Sequence, residues 1–288
     1  MPLKKYGNFQ YIDLYDVFSA GNRAEKEQGL FLLGKAYREI YLKMFPVPSE
    51  QEAFEDWCDN LENAGKNHDV QSFSLYGFDL DRKNPKIVGL IVTSFYKGCA
   101  CGLIDYLIRE KAYSKSLPAV KMLDMQEKIL KRICLKFDGA PLKMILWEAN
   151  DPKRIAWDDN APDYTKDCMN PQKRVDHIRR CFDCRQIGVD YAQAPIRAVR
   201  DQREIDENVC DNLLLFLYKA GKYAGATPND LERFLISFSK ACNGNPPDRL
   251  NNRYIDRMMR QISVMKSLNI PLLHENQTDE QRQALKNA

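Results

Sequence analysis

A chain of 288 residues with 44% hydrophobic side chains can hold one large domain or two ordinary ones with a full core. A net charge of +3 makes no electrostatic case for a nucleic-acid partner, and every apolar run is strand-sized, too short for a bilayer span, so no membrane partner is expected either. The N-terminal MPLKKYGNFQ lacks the apolar core of a signal peptide, and nine irregularly spaced cysteines fit buried thiols in a reducing compartment, so the expected location is cytoplasmic.

The elements follow in chain order. The stretch FQYIDLYDVF reads as a strand or a lead-in loop, broken by Gly21-Asn22. Leu30, Leu33, Ala36, Ile40 and Met44 lie at helical spacing and predict a helix over 23–44, ended by Phe45-Pro46-Val47-Pro48. Ser49 and Glu52 have capping-box spacing, which starts a second helix there and carries it to about Ala64, with Phe54, Trp57 and Leu61. Two β-rich runs, 71–80 and 87–95, flank a polar turn. Next come a third apolar run at 102–109, a short basic loop at 113–117, helical spacing over 118–136 and a further apolar run at 143–149. These periods predict strand, loop, helix, strand. A strand that feeds a loop and a helix N-terminus is where proteins hold phosphate groups.

Beyond Asn150 the chain turns polar, and 151–170 reads as a long connection. A helix is expected over 171–184, strands over 185–191 and 212–219, and a helix from Thr227-Pro228 to Ala241. A last amphipathic helix covers about 248–268, and the polar tail after it is expected to fray. The expected division is a main domain over 1–225, two C-terminal helices packed on it over 226–275, and the frayed tail over 276–288. Cys99-Ala-Cys101 and Cys181-x-x-Cys184 could supply four thiolates, but the first spacing suits zinc poorly and the second lies on a predicted helix, so no metal is expected. His68, His177 and His274 are scattered and pair with no cysteine nucleophile.

This order resembles the GNAT superfamily of N-acetyltransferases over roughly residues 23–242. Three segments add to it. Met44-Phe45-Pro46-Val47-Pro48-Ser49-Glu50 with Trp57 looks like the first helical pair of one GNAT branch. Trp147-Glu148-Ala149-Asn150-Asp151-Pro152 looks like the end of the fifth strand, and Asp190-Tyr191-Ala192-Gln193-Ala194-Pro195-Ile196 is similar to a segment near the sixth. The resemblance implies an α/β fold with a GNAT-type mixed sheet, extended by two C-terminal helices. It implies transfer of an acetyl group from acetyl-coenzyme A to an amine by direct attack. The partners it allows are a small-molecule or peptide amine and a second copy of the chain in a homodimer.

Residue by residue, the resemblance places the backbone of Leu107, Ile108 and Arg109 at the thioester and Asn150 at the pantetheine amides. It places Ser114, Lys115, Ser116, Leu117 and Ala119 at the diphosphate. Asp105 and Glu148 become candidate bases, and Tyr191 a candidate general acid for the departing sulfur. Each has a plainer reading beside it: Asp105 and Glu148 as surface carboxylates, Tyr191 as a core or rim tyrosine, Asn150 as the start of a turn, and 114–119 as an ordinary turn with Pro118 at the first helical position. The loop departs from the family's Arg/Gln-x-x-Gly-x-Gly/Ala pattern, because Leu117 stands where a glycine is expected and Pro118 has no N–H to give. Two alternatives therefore stand beside an enzyme. One is a catalytically degenerate domain of the same fold. The other is an interaction protein that docks through its C-terminal helices.

Overall fold

The computed structural model describes residues 3–45, 51–154, 170–192, 213–243 and 253–288. Eight strands form one mixed sheet in the order β1-β2-β3-β4-β5-β6-β8-β7, so the α/β class expected from the sequence is what the chain forms. The strands are β1 (Lys4–Tyr6), β2 (Phe9–Asp13), β3 (Asp69–Phe78), β4 (Lys86–Tyr96), β5 (Cys101–Arg109), β6 (Met144–Asn150), β7 (Arg185–Gln186) and β8 (Leu213–Leu217). The helices are α1 (Leu14–Ala20), α2 (Arg23–Ala36), α3 (Phe54–Glu62), α4 (Ala119–Asp138), α5 (Pro171–Phe182), α6 (Pro228–Asn243), α7 (Arg253–Ser267) and α8 (Asp279–Lys286). As expected, β5 and β6 are neighbours in the sheet and are joined through α4.

The chain divides into two compact units. The first takes residues 1–95 and 104–133. Its strands β3 and β4 are buried along almost their whole length, the pattern of central strands covered on both faces. Leu32, Leu33, Trp57, Phe73, Leu90 and Val92 sit in its core. The stretch read as a strand or lead-in loop is both strand and helix: β2 ends at Asp13, whose carboxylate accepts from the Tyr15 N–H and caps α1. Asn22 and Glu25 form a capping box that starts α2. The long helix continues through a π-helical segment, Tyr37–Tyr41, to Met44.

The second helix does not begin at Glu52, where the expected capping box would place its first turn. Helix α3 starts later, with Ala53 at its N-cap, and Glu52 turns inward. Ser49 lies outside the described residues, as do 46–50 of the first resembling segment and 193–196 of the third.

The second unit takes residues 96–103, 134–162 and 169–288. A tight turn leads into β5, with Gly98 at φ 82° and Ala100 at φ 55°. The Asp138 carboxylate holds it by accepting from the N–H groups of both residues, each at 2.9 Å. β6 pairs antiparallel with β8, placing Glu148 opposite Leu215 and Asn150 opposite Leu213. The strand expected over 185–191 shortens to the two residues of β7. Past Gln186 the chain turns to the C-terminal segment instead: Ile187 bridges Leu273, and the Gly188 N–H donates to the Leu272 carbonyl at 3.0 Å.

The frayed tail is also corrected. Thr278 and Gln281 form a capping box that starts α8, and Leu285 of that helix is buried against Met265 and Ile270. Burying a leucine contributes about 1.5–3 kcal/mol, enough to hold a short capped helix in place. Among the described residues no helix is long and apolar enough to cross a membrane, and no cluster of three His, Cys, Asp or Glu side chains is placed to hold a metal.

Candidate functional site

The loop after β5 is built from its own hydrogen bonds. A turn of 3-10 helix, Lys111–Tyr113, follows the strand. The Ser114 N–H donates to the Lys111 carbonyl at 3.1 Å and the Leu117 N–H to the Tyr113 carbonyl at 2.8 Å. Two of the N–H groups expected to meet a phosphate are therefore already engaged, and Pro118 lacks one. The Leu117 side chain is fully buried and packs toward Gly89, where an added Cβ would lie 3.2 Å from the leucine Cδ2. Leu117 thus anchors the loop to the core instead of lining an anion site.

Arg109 closes the turn. Its Nη1 donates to the carbonyls of Ser114, at 2.9 Å, and Leu117, at 2.7 Å. Lys115 and Ser116 are the exposed residues of the loop, and Ala119 opens α4. Of the residues assigned to the thioester, Ile108 has its side chain in the core, and the strand ladder runs on to Glu110, whose N–H donates to the Val88 carbonyl at 2.8 Å.

Asp105 is half-buried and accepts from the buried Ser94 hydroxyl at 2.8 Å. Another carboxylate of the first unit, missed as a site residue, is Glu52. It accepts from Trp57 Nε1 and from the Tyr106 hydroxyl, the latter at 2.7 Å, and its own N–H donates to the Tyr41 hydroxyl. Burial raises its pKa, while the Tyr106 and Trp57 hydrogen bonds oppose the rise. Its one signal is a glutamate amid aromatic residues, which is also what a cap before a helix looks like.

Two of the expected catalytic residues come together in the second unit. The Tyr191 hydroxyl donates to Glu148 Oε1. Tyr191 is buried, and among the described residues no cation pairs with Glu148. Burial pushes the Glu148 carboxyl up to about 7, with the Tyr191 hydrogen bond pulling the other way. A carboxyl with such a pKa is part ionised near neutral pH, so it can accept a proton and give it back. Tyr191 also lines a cavity of about 210 Å³ together with Asp151, Leu213 and Leu214 at the ends of β6 and β8. Asn150, the last residue of β6, stands next to that wall.

No family model matches the chain, and no curated protein matches it. Similar solved structures include a GNAT-family acetyltransferase from Bacteroides thetaiotaomicron, at 15% identity over 80% of this chain and 97% of that one, with a TM-score of 0.38. A GNAT-family acetyltransferase from Staphylococcus aureus matches at 14% identity over 73% of this chain and 99% of its own, with a TM-score of 0.36. An IAA acetyltransferase from Bacillus cereus matches at 6% identity over 60% and 93%, with a TM-score of 0.30.

Proposed function

We propose that the protein is an N-acyltransferase that moves an acetyl group from acetyl-coenzyme A to an amine. The observation that carries this reading is the Glu148–Tyr191 pair: a carboxyl pushed up to about 7, bonded to a tyrosine hydroxyl, at the end of the strand that resembles the fifth GNAT strand. Glu148 accepts a proton from the attacking amine nitrogen. The new C–N bond forms as the thioester C–S bond breaks, and the leaving sulfur takes the Tyr191 hydroxyl proton. Tyr191 regains its proton from Glu148 along their hydrogen bond. The amine thus loses one proton, the thiol gains one, and the pair ends as it began.

The same reading expects weak binding at the diphosphate. Two N–H groups of the loop are spent on its own turn, and Pro118 supplies none. Each missing charge-assisted hydrogen bond costs on the order of 1.5–3 kcal/mol, a ten- to hundredfold loss of affinity. This spent loop is also what favours the second reading, a degenerate domain that no longer binds the coenzyme. Native mass spectrometry for co-purified coenzyme A, followed by titration with acetyl-coenzyme A, separates the two. No heat and no thermal shift at millimolar concentration would remove the acyltransferase reading and put the degenerate domain in its place.

A further inference from the structure

The tail expected to fray builds a cavity wall that the proposed chemistry leaves unused. Beside the cavity next to Tyr191 lies a second, of about 620 Å³, within the range of roughly 300–1,000 Å³ typical of small-molecule sites. Both are lined by Asp151, Gln186, Leu214, His274 and Arg282.

Three observations point to what they hold. The first is unmet polarity. Arg282 Nη2 donates to the Gln277 carbonyl at 2.9 Å and Nη1 to Asp279 at 2.9 Å, which leaves Nε buried without a partner. Gln277, only 4% exposed, donates through Nε2 to the Pro271 carbonyl at 2.8 Å, and that bond fixes the amide so that Oε1 is buried without a partner. A buried, unpaired polar atom costs about 1–3 kcal/mol, and a ligand that satisfies both atoms recovers it.

The second is charge. Arg154, Lys286, Lys153, Arg179 and Arg282 line the two cavities against three carboxylates, Asp151, Asp190 and Glu275. Two of those carboxylates are paired with arginines from outside the lining: Glu275 with Arg185 at 2.8 Å, and Asp190 with Arg257. Within the lining Arg154 pairs with Asp151 at 3.8 Å, and Arg282 pairs with Asp279 at 2.9 Å, so the surplus positive charge is carried by Lys153, Arg179 and Lys286. The third is the local field. Burial lowers the pKa of His274, and the charges of Arg282, Arg179 and Lys153 lower it further.

We propose that these cavities bind the carboxylate or phosphate end of a small ligand, with Arg282 Nε donating to its oxygen and Gln277 Oε1 accepting from a neighbouring N–H or O–H. Because Tyr191 lines the smaller cavity and bonds Glu148, this rests on the acyltransfer reading for its last step: the ligand is the acceptor, an amine that carries an acidic group.

Isothermal titration of the full chain at low salt tests the site without acetyl-coenzyme A. The probes are inorganic phosphate, glutamate as an amine with carboxylates, and ethylamine as an amine without an acid. Saturable binding of phosphate or of glutamate, with none of ethylamine, is expected, and the two anions tell which oxygen group is preferred. Arg282→Gln should weaken that binding about ten- to a hundredfold. Lys153→Ser with Arg179→Ser, both exposed positions, should weaken it about tenfold with circular dichroism unchanged, so the test survives a misfolded Arg282 variant. The site is overturned if neither anion saturates, or if both bind the Lys153→Ser/Arg179→Ser protein as tightly as wild type. Anion binding without any turnover keeps the site and removes the acyltransfer reading. Turnover on amines regardless of an acidic group, unaffected by the variants, keeps that reading and removes the site.

Discussion

Asp13 in the first unit and Glu148 in the second are both carboxyls that burial pushes up to about 7. Their surroundings differ. Asp13 Oδ1 accepts from the Ser72 hydroxyl at 2.9 Å and the Tyr15 N–H at 3.1 Å, and Arg132 comes within 3.7 Å of Oδ2. Gln126 extends the network by donating to Ser72 and Thr93, each at 2.7 Å, and accepting from Ser74 at 2.8 Å. Those groups belong to the start of α1, the body of α4 and the strands β3 and β4, so the network ties these four elements together. Among the described residues Glu148 has one side-chain partner, a tyrosine beside a cavity. A perturbed pKa alone does not separate the two; the neighbours do.

The largest expected effect comes from removing the lone carboxyl. Glu148→Gln should lower single-turnover acetyl transfer about 10²–10⁴-fold while leaving the thermal midpoint near wild type. Asp13→Ala should do the reverse, with turnover per folded molecule preserved and stability lost. Equal losses of turnover in both variants would break the contrast. Next is Tyr191→Phe, expected to lower turnover about 10²-fold. Because the Tyr191 hydrogen bond lowers the Glu148 pKa, its removal should also move the acid limb of the pH–rate profile to higher pH. An unmoved limb would take Tyr191 out of the relay.

The third effect is on stability against pH. Asp13 has an ordinary value of 3.8, so between there and about 7 the unfolded chain has released a proton that the folded chain keeps. The folded state binds more protons in that window, and its stability falls as pH rises through it, by up to about 4 kcal/mol. Urea titrations from pH 4 to pH 8 should show that slope together with one of the same sign from Glu148, and Asp13→Asn should remove the Asp13 share and leave the Glu148 share. The smallest effect is Ser72→Ala, which removes one donor to Asp13 and one acceptor for Gln126. It should cost about 1–3 kcal/mol in the same titration, with the pH–rate profile unmoved.

Periodicity carried the central elements: both long apolar runs, the strand–loop–helix–strand stretch and the two C-terminal helices lie where their spacing placed them. The misses share a cause. Ser49 and Glu52 fit a local rule, but the glutamate is taken by Trp57 and by Tyr106, a strand residue far along the chain. Thr278-Asp279-Glu280-Gln281 is a capping box that could have been read, yet a helix of eight residues holds only because Leu285 finds Met265 and Ile270. The Glu148–Tyr191 pairing spans 43 positions, and sequence spacing alone cannot bring such residues into contact. Leu117 looked like an obstacle at a ligand surface because nothing in its neighbours announces that it points into the core.

Arg109 gives the loop it closes a different character from a glycine-rich cradle. Its guanidinium binds two neutral carbonyls, and among the described residues no carboxylate pairs with it, so its full charge remains beneath an exposed surface that carries Lys111 and Lys115. A cradle discriminates by geometry, since each N–H must meet one oxygen. A charge discriminates only by sign. Whatever polyanion this loop attracts, it attracts through a field that fades over the Debye length, about 8 Å at physiological ionic strength. Its affinity should therefore fall steeply with added salt and differ little between a diphosphate and any other compact dianion. Here α4 would collect anions at its N-terminus without selecting among them.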